Sequence, residues 1–134
     1  PKEVSIAYGK YMANAASCVE CHTPFDGVNL DMEKAFAGGR EFNLPSGRLV
    51  TANITPHPET GIGNWTKEAF VARFKAYDLA NGYVPPVVAP DEFNTIMPWT
   101  MYAGMDSVDL EAIYVYLQSL EPIENKVERF VAQQ

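Results

Sequence analysis

The sequence predicts an all-α domain in which three main helices are joined by long loops. Three stretches carry apolar residues at helical spacing, and they begin near Val4, after Thr66 and after Asp106. Most of the ten prolines and nine glycines fall between these stretches, where they indicate turns and shaped loops. The length of 134 residues is that of one domain. We expect residues 1–123 to form the domain and residues 124–134 to be a C-terminal tail.

The first helix is predicted over residues 4–16, with Ile6, Tyr11 and Met12 on its apolar stripe. Gly9 lies inside this helix, where a glycine costs roughly 1 kcal/mol relative to alanine. A close crossing of another helix would explain a glycine at this position. We therefore expect the last helix to pack against the first one at Gly9.

Cys18, Cys21 and His22 form a Cys-x-x-Cys-His motif, the attachment signature of a c-type haem. Each thiol can add to a haem vinyl group as a thioether, and the histidine then binds the iron. Zinc would need four ligands, but only His57 remains as a second histidine and there is no other cysteine. A thioredoxin-like dithiol would follow a buried strand, whereas a helix leads into this motif. We predict one covalent haem c, and we expect the Pro24 carbonyl to orient the His22 ring.

Two long stretches, 23–60 and 83–99, lack sustained periodicity and are read as loops, with turns at 45–47 and 58–61. Loops of this length are unusual in a compact domain. A large cofactor removes the difficulty, because a loop can pack on the haem instead of on protein. The sequence therefore predicts loops wrapped round one haem.

The second and third helices carry clear start and stop signals. Thr66 is a predicted N-cap for a helix that runs to about Ala80 and ends at the left-handed residue Gly82. Asp106 is the predicted N-cap of the last helix, which Pro122 stops.

The histidine leaves one axial position on the iron for another ligand. A methionine sulfur there raises the reduction potential and suits electron transfer, whereas an open position binds gases or peroxide. Met97, Met101 and Met105 stand together before the last helix, and one of them is expected to reach the iron. His57, in a predicted exposed turn between two prolines, is the competing candidate.

This order of features resembles class I cytochrome c. The closer resemblance is to the cytochrome c subunits of periplasmic, membrane-bound dehydrogenases for alcohol, gluconate and related substrates. Those subunits often carry three haem domains, whereas this chain carries one motif. Over residues 8–123 the resemblance rests on Gly-Gly-Arg at 38–40, Pro-Ser-Gly at 45–47, Thr-Ala-Asn-Ile-Thr-Pro at 51–56, Glu-Thr-Gly-Ile-Gly-Asn-Trp-Thr at 59–66, Met-Pro-Trp at 97–99, Tyr-Ala-Gly-Met at 102–105 and Tyr-Val-Tyr-Leu at 114–117.

The resemblance implies the class I cytochrome c fold, with His22 and Met105 as axial ligands, since the family keeps a methionine at the position matching Met105. Haem propionates also need hydrogen-bond donors, which guanidinium, amide, indole and phenol groups can supply. The expected contacts are Arg40, Arg48, Asn53, Trp65, Trp99 and Tyr102.

The net charge of −7 argues against nucleic acid or an anionic lipid surface as a partner. No catalytic dyad, Ser-His-Asp set or phosphate-binding loop appears, so no enzyme activity is expected. We predict a monohaem electron carrier in the periplasm or at the outer face of the cytoplasmic membrane. Its partners would be a dehydrogenase, a respiratory complex or a terminal oxidase. Because the sequence contains no membrane span, membrane attachment is expected only through an anchor outside it.

Two alternatives stay open from the sequence. One is a haem enzyme or gas-binding cytochrome with an open distal site, which would bind carbon monoxide readily. The other is an electron-relay domain cut from a larger multihaem dehydrogenase or oxidase subunit, in which case the gene would continue beyond this sequence.

Overall fold

The computed structural model describes residues 2–45, 47–83 and 97–132. The described α-helices are α1 (Ile6–Ala15), α2 (Cys18–Cys21), α3 (Lys67–Lys75), α4 (Trp99–Ala103) and α5 (Ser107–Gln118). The described strands are β1 (Glu41–Leu44), β2 (Gly47–Val50) and β3 (Phe130–Ala132). Most of the loop predicted over 83–99 lies outside the described residues.

Helices α1 and α5 cross at Gly9, as the sequence predicts. Gly9 is buried, and a Cβ atom at this position would overlap the backbone carbonyl of Ala112 in α5. The Tyr8 hydroxyl donates a hydrogen bond of 2.6 Å to the Asp109 carboxylate across the same contact. The apolar side chains of Leu110 and Leu117 are each 1% exposed, so α5 forms the centre of the core.

The N-cap positions predicted at Thr66 and Asp106 are confirmed. The first helix begins at Ile6 rather than near Val4, and the end predicted near Ala80 is wrong. Thr66 caps α3 by accepting a hydrogen bond of 3.0 Å from the Ala69 amide. This helix ends at Lys75 rather than near Ala80. The Asp78 carboxylate accepts from the Ala80 amide at 2.9 Å and starts a separate 3-10 turn, Leu79–Asn81. Asp and Asn side chains can bind nearby backbone amides and so compete with the hydrogen bonds of a helix. The sequence pattern could not separate α3 from the 3-10 turn that follows it.

The all-α prediction is correct only for the helical core, because the described chain also contains a three-stranded sheet in the order β1-β2-β3. All pairs are antiparallel, with Leu44 opposite Gly47 and Leu49 opposite Phe130. The half-buried Phe42 and Leu44 alternate with two exposed neighbours. This period of two covers only four residues, which is too short to stand out in the sequence.

The C-terminal segment packs against the rest of the chain as far as it is described. The Asn53 side-chain amide donates a hydrogen bond of 2.7 Å to the Ile123 carbonyl. The Asn125 side-chain amide donates one of 2.9 Å to the Ala37 carbonyl. β3 then pairs with β2. The domain boundary at 123 stays a prediction, but the segment after it contributes the strand Phe130–Ala132 to the sheet.

Among the described residues, none of the helices has the length and apolar character required to cross a membrane.

Candidate haem-binding site

A largely apolar cavity of about 340 Å³ lies beside the Cys-x-x-Cys-His motif. Its size falls in the range of roughly 300–1,000 Å³ that is usual for small-molecule and cofactor sites. Three walls come from α3, α4 and α5, and a fourth comes from β2 and the chain that follows it. The described residues contain no cluster of three or more His, Cys, Asp and Glu side chains, so the zinc alternative finds no ligand set among them.

The motif presents both cysteines to this cavity. Ser17 adopts a left-handed conformation, with φ of 62°, that separates α1 from the single turn of α2. Residues three apart share one face of a helix, so Cys18 and Cys21 lie together, and both line the cavity as free thiols. Burial raises the pKa of the Cys18 thiol to about 11, so its sulfur is uncharged at neutral pH. An uncharged sulfur is compatible with the apolar wall.

The ring of His22 is held by a backbone carbonyl, although not by the one expected. Its Nδ1 atom lies 2.7 Å from the Ala52 oxygen, and a carbonyl can only accept, so Nδ1 carries the proton. This tautomer leaves Nε2 as the atom able to bind a metal. Burial lowers the pKa of His22, which also favours the neutral ring. The Pro24 prediction is wrong, because that carbonyl accepts from the Asp31 amide at 2.8 Å.

Two glycines bring Ala52 close to the histidine. The Gly38 amide donates to the His22 carbonyl and the Gly39 amide to the Thr51 carbonyl, each at 2.8 Å. Gly38 has a φ of 73°, and a Cβ atom there would overlap the backbone of Ala52. Only glycine permits this conformation together with this approach.

The three candidate methionines lie in different surroundings. Met97 and Met105 both line the cavity. Met101 is 74% exposed and is not among the lining residues. His57 does not line the cavity either, and its Nδ1 atom accepts hydrogen bonds from the Glu59 and Thr60 amides. The geometry therefore leaves two of the sequence-derived candidates beside the cavity.

Of the six predicted haem contacts, the two arginines do not reach the cavity wall. Arg40 donates a hydrogen bond of 2.8 Å to the Glu20 carbonyl, and its guanidinium lies 4.4 Å from the centre of the Phe25 ring. Arg48 forms an exposed ion pair of 3.3 Å with Glu41. Asn53, Trp65, Trp99 and Tyr102 do line the cavity.

Asn53 and Tyr102 direct their polar atoms to protein partners. The Asn53 carbonyl oxygen accepts from the Thr55 hydroxyl at 2.7 Å, and its amide donates to the Ile123 carbonyl. The Tyr102 hydroxyl donates a hydrogen bond of 2.6 Å to the Ala16 carbonyl. Burial raises the pKa of Tyr102 to about 12, so it remains a donor throughout the physiological range. These two side chains fix the shape of the wall.

The cavity is also lined by Arg73 and Arg129, which are not among the six predicted haem contacts. The Arg73 guanidinium stacks 4.3 Å from the centre of the Trp99 ring and donates to the Tyr77 hydroxyl at 2.9 Å. Its spacing of three residues from Phe70 in α3 was the signal that could have found it. Arg129 lies in the predicted C-terminal tail. Burial, and after it the positive charge of Arg129, lower the pKa of His22.

The sequence matches no protein-family model. It is 32% identical over 122 residues to the cytochrome c subunit of the quinone alcohol dehydrogenase of Gluconobacter oxydans, which covers 90% of this chain and 23% of that protein. The gluconate 2-dehydrogenase cytochrome c subunit of Pantoea cypripedii is 32% identical over 108 residues, which are 81% of this chain and 21% of that subunit. The fructose dehydrogenase cytochrome subunit of Gluconobacter japonicus is 31% identical over 121 residues, which are 90% of this chain and 22% of that subunit.

The chain resembles the cytochrome c subunits of dehydrogenases. This confirms the resemblance stated from the sequence motifs. Together these relatives support an electron-transfer cytochrome. The chain spans less than a quarter of the length of the three dehydrogenase subunits it matches.

Proposed function

We propose that this protein is a monohaem c-type cytochrome that carries single electrons between redox proteins. The observation that carries the proposal is one cavity lined by Cys18, Cys21, His22 and two methionines, Met97 and Met105. The two cysteines would hold the haem through thioether bonds, and Nε2 of His22 would bind its iron. When bound, haem supplies a one-electron couple between ferric and ferrous iron.

We propose Met105 as the second axial ligand, with Met97 as the alternative. Met105 is half-buried and packs against the hydrophobic core cluster. Its amide donates a hydrogen bond of 3.0 Å to the Tyr102 carbonyl, so the backbone is held between α4 and α5. A ligand on a supported backbone is preorganised for its metal.

The remaining lining residues have two tasks in this proposal. Apolar side chains exclude water from the iron, which stabilises the less charged ferrous site. Arg73 and Arg129 would bind the haem propionates, because guanidinium groups pair well with carboxylates. They replace Arg40 and Arg48 in that role. Asn53 and Tyr102 act through the wall they fix, and Trp65 and Trp99 supply ring surface.

A dehydrogenase is the proposed redox partner, since the relatives include cytochrome c subunits of alcohol and gluconate dehydrogenases. The proposed location is the periplasm or the outer face of the cytoplasmic membrane. In this proposal the protein has no substrate of its own. The chain matches less than a quarter of each relative, so the proposed relay fits one unit of a longer polypeptide as well as a separate carrier.

Absorption spectra of the oxidised and reduced protein, with and without carbon monoxide, test the proposal on the wild type and on Met105→Ala. A His/Met carrier gives a low-spin spectrum with a sulfur-to-iron charge-transfer band and binds no carbon monoxide. Met105→Ala should lose the band and bind carbon monoxide. Ready binding by the wild type would favour a gas-binding or enzymatic haem. A band retained in Met105→Ala and lost in Met97→Ala would move the ligand to Met97.

A further inference from the structure

We propose that Lys75 is a positioning residue for the axial methionine. It is the last residue of α3, and its ammonium group donates hydrogen bonds to two backbone carbonyls in the turn between α4 and α5. The Ala103 oxygen lies 2.8 Å from Nζ and the Met105 oxygen lies 2.6 Å from it. The inference rests on the proposed function, in which Met105 binds the haem iron.

The turn that Lys75 holds is closed by two backbone hydrogen bonds, from the Gly104 amide to the Met101 carbonyl and from the Met105 amide to the Tyr102 carbonyl. α4 has only five residues and ends at Ala103, and Gly104 is exposed. The last carbonyls of a helix have no partners within the helix. The helix dipole stabilises a cation at the C-terminal end of a helix. Hydrogen bonds from an ammonium group are also stronger than hydrogen bonds between two neutral groups. A single side chain of α3 therefore fixes the carbonyl of the proposed ligand and the carbonyl two residues before it.

The side chain of Asp106, at the start of α5, does not bind Lys75. Asp106 occupies the N-cap position of α5, but its side chain makes no capping hydrogen bond. Its carboxylate pairs instead with Lys2. The ammonium of Lys75 is thus directed at the backbone of the ligand turn.

The last turn of α4 is also tied to the cysteine side of the cavity. The Tyr102 hydroxyl donates to the Ala16 carbonyl, two residues before Cys18. Tyr102 therefore sets the distance between α4 and the motif, while Lys75 sets the position of the turn against α3. With both in place, the Met105 backbone has fixed supports on two sides. Removing Lys75 should leave the protein folded but loosen the sulfur at the iron.

The experiment uses the haem-loaded protein and the variants Lys75→Met, Lys75→Gln and Lys75→Arg. Two properties are measured in the ferric state, the sulfur-to-iron charge-transfer band and the affinity for added imidazole, which competes with the sulfur. Lys67→Met is the matched control, because it removes the same charge from the first turn of the same helix. Circular dichroism and thermal unfolding report whether each variant is folded.

Lys75→Met is expected to weaken the band and to bind imidazole at least about tenfold more tightly than the wild type. An affinity change of this size is expected when hydrogen bonds from a charged donor are lost. Lys75→Gln should show a smaller increase in affinity, since it keeps one donor group. Lys75→Arg, with charge and donors retained, should stay nearest to the wild type. Lys67→Met should leave both properties unchanged. If Lys75→Met does not fold, Lys75→Gln decides.

Two results would overturn the inference. One is wild-type imidazole affinity in the folded neutral variants of Lys75, and the other is an equal change in Lys67→Met, which would indicate a general charge effect. Met105→Ala, measured in the same assay, separates this failure from that of the proposed function. Loss of the band in Met105→Ala with no effect at Lys75 refutes only the positioning role. A band retained in Met105→Ala refutes the ligand assignment and the inference together.

Discussion

The histidine side and the methionine side of the cavity are held by different kinds of contact. On the histidine side, backbone atoms contact backbone atoms, and the ring of His22 completes the set through the Ala52 carbonyl. On the methionine side, the long side chains of Lys75 and Tyr102 bind backbone carbonyls outside their own helices. A backbone contact tolerates almost no substitution, whereas a side-chain contact can be removed with a graded effect. The two sides should therefore respond differently to mutation.

The largest effect is expected at Gly38. An alanine there would have an unfavourable positive φ and would overlap the Ala52 backbone, so we expect Gly38→Ala to lower the free energy of unfolding by about 3 kcal/mol. Gly82→Ala is the control, because Gly82 also has a positive φ, 95°, but a Cβ atom there meets nothing within 4 Å. That variant should lose only about 1 kcal/mol. Denaturant unfolding measures both, and equal losses would contradict the close-approach argument.

A smaller effect is expected from Tyr102→Phe on the methionine side. The variant removes the hydrogen bond to the Ala16 carbonyl but keeps the ring, which should cost about 1 kcal/mol. It should also weaken the sulfur-to-iron band. Tyr114→Phe is the control, since it removes an equally short bond, 2.6 Å to the Trp65 carbonyl, at an exposed position. Unfolding and spectra are measured together. A weakened band in the control alone would reverse the assignment.

Arg129→Gln should change the reduction potential more than the stability. A positive charge that interacts with His22 disfavours ferric iron, so its removal should lower the midpoint potential by tens of millivolts, on the order of one screened charge interaction. Arg48→Gln removes the same charge from an exposed pair and should leave the potential nearly unchanged. Redox titration compares the two. A larger shift in Arg48→Gln would show that the overall charge, not the cavity charge, sets the potential.

The smallest effect concerns acid stability in the loop after the motif. The amides of Asn29 and Val28 hold the pKa of the Asp26 carboxyl below its usual value. A lowered folded-state pKa contributes stability above the unfolded value of 3.8, and this is lost as the pH falls through the folded value. Asp26→Ala should therefore be less stable than the wild type at neutral pH. The two proteins should become equally stable at pH values below the folded-state pKa of Asp26. A pH-independent difference would assign the effect to the turn alone.

Local signals in the sequence were enough to select the Cys-x-x-Cys-His motif on the histidine side. Cys18, Cys21 and His22 lie within five positions of the chain, whereas the close backbone approach at Gly38 is visible only in the structure. Gly9 likewise predicted the crossing of α1 and α5. In each case one residue type is tied to one physical requirement. The carbonyl that binds His22 was missed, because any residue can supply a carbonyl and no pattern marks Ala52.

The methionine side depends on contacts between residues far apart in the sequence. Lys75 and Met105 are 30 positions apart, and a lysine near a helix end usually indicates only a solvated group. Arg129 was missed because its neighbours show no clear period and the segment was read as a tail. Arg40 was wrongly placed at the cavity, since a basic residue near the motif carries no information about which surface its guanidinium reaches.

The pairing of β3 with β2 also has a consequence for how the chain can be shortened. β2 lies between β1 and β3, so loss of residues 124–134 would leave its outer backbone amides and carbonyls without that partner. An open strand edge readily pairs with another chain. A protein cut after Ile123 would lose Val127 and Arg129 from the cavity, and it would also gain a surface on which copies could associate. The last strand thus covers one edge of β2, the central strand of the sheet.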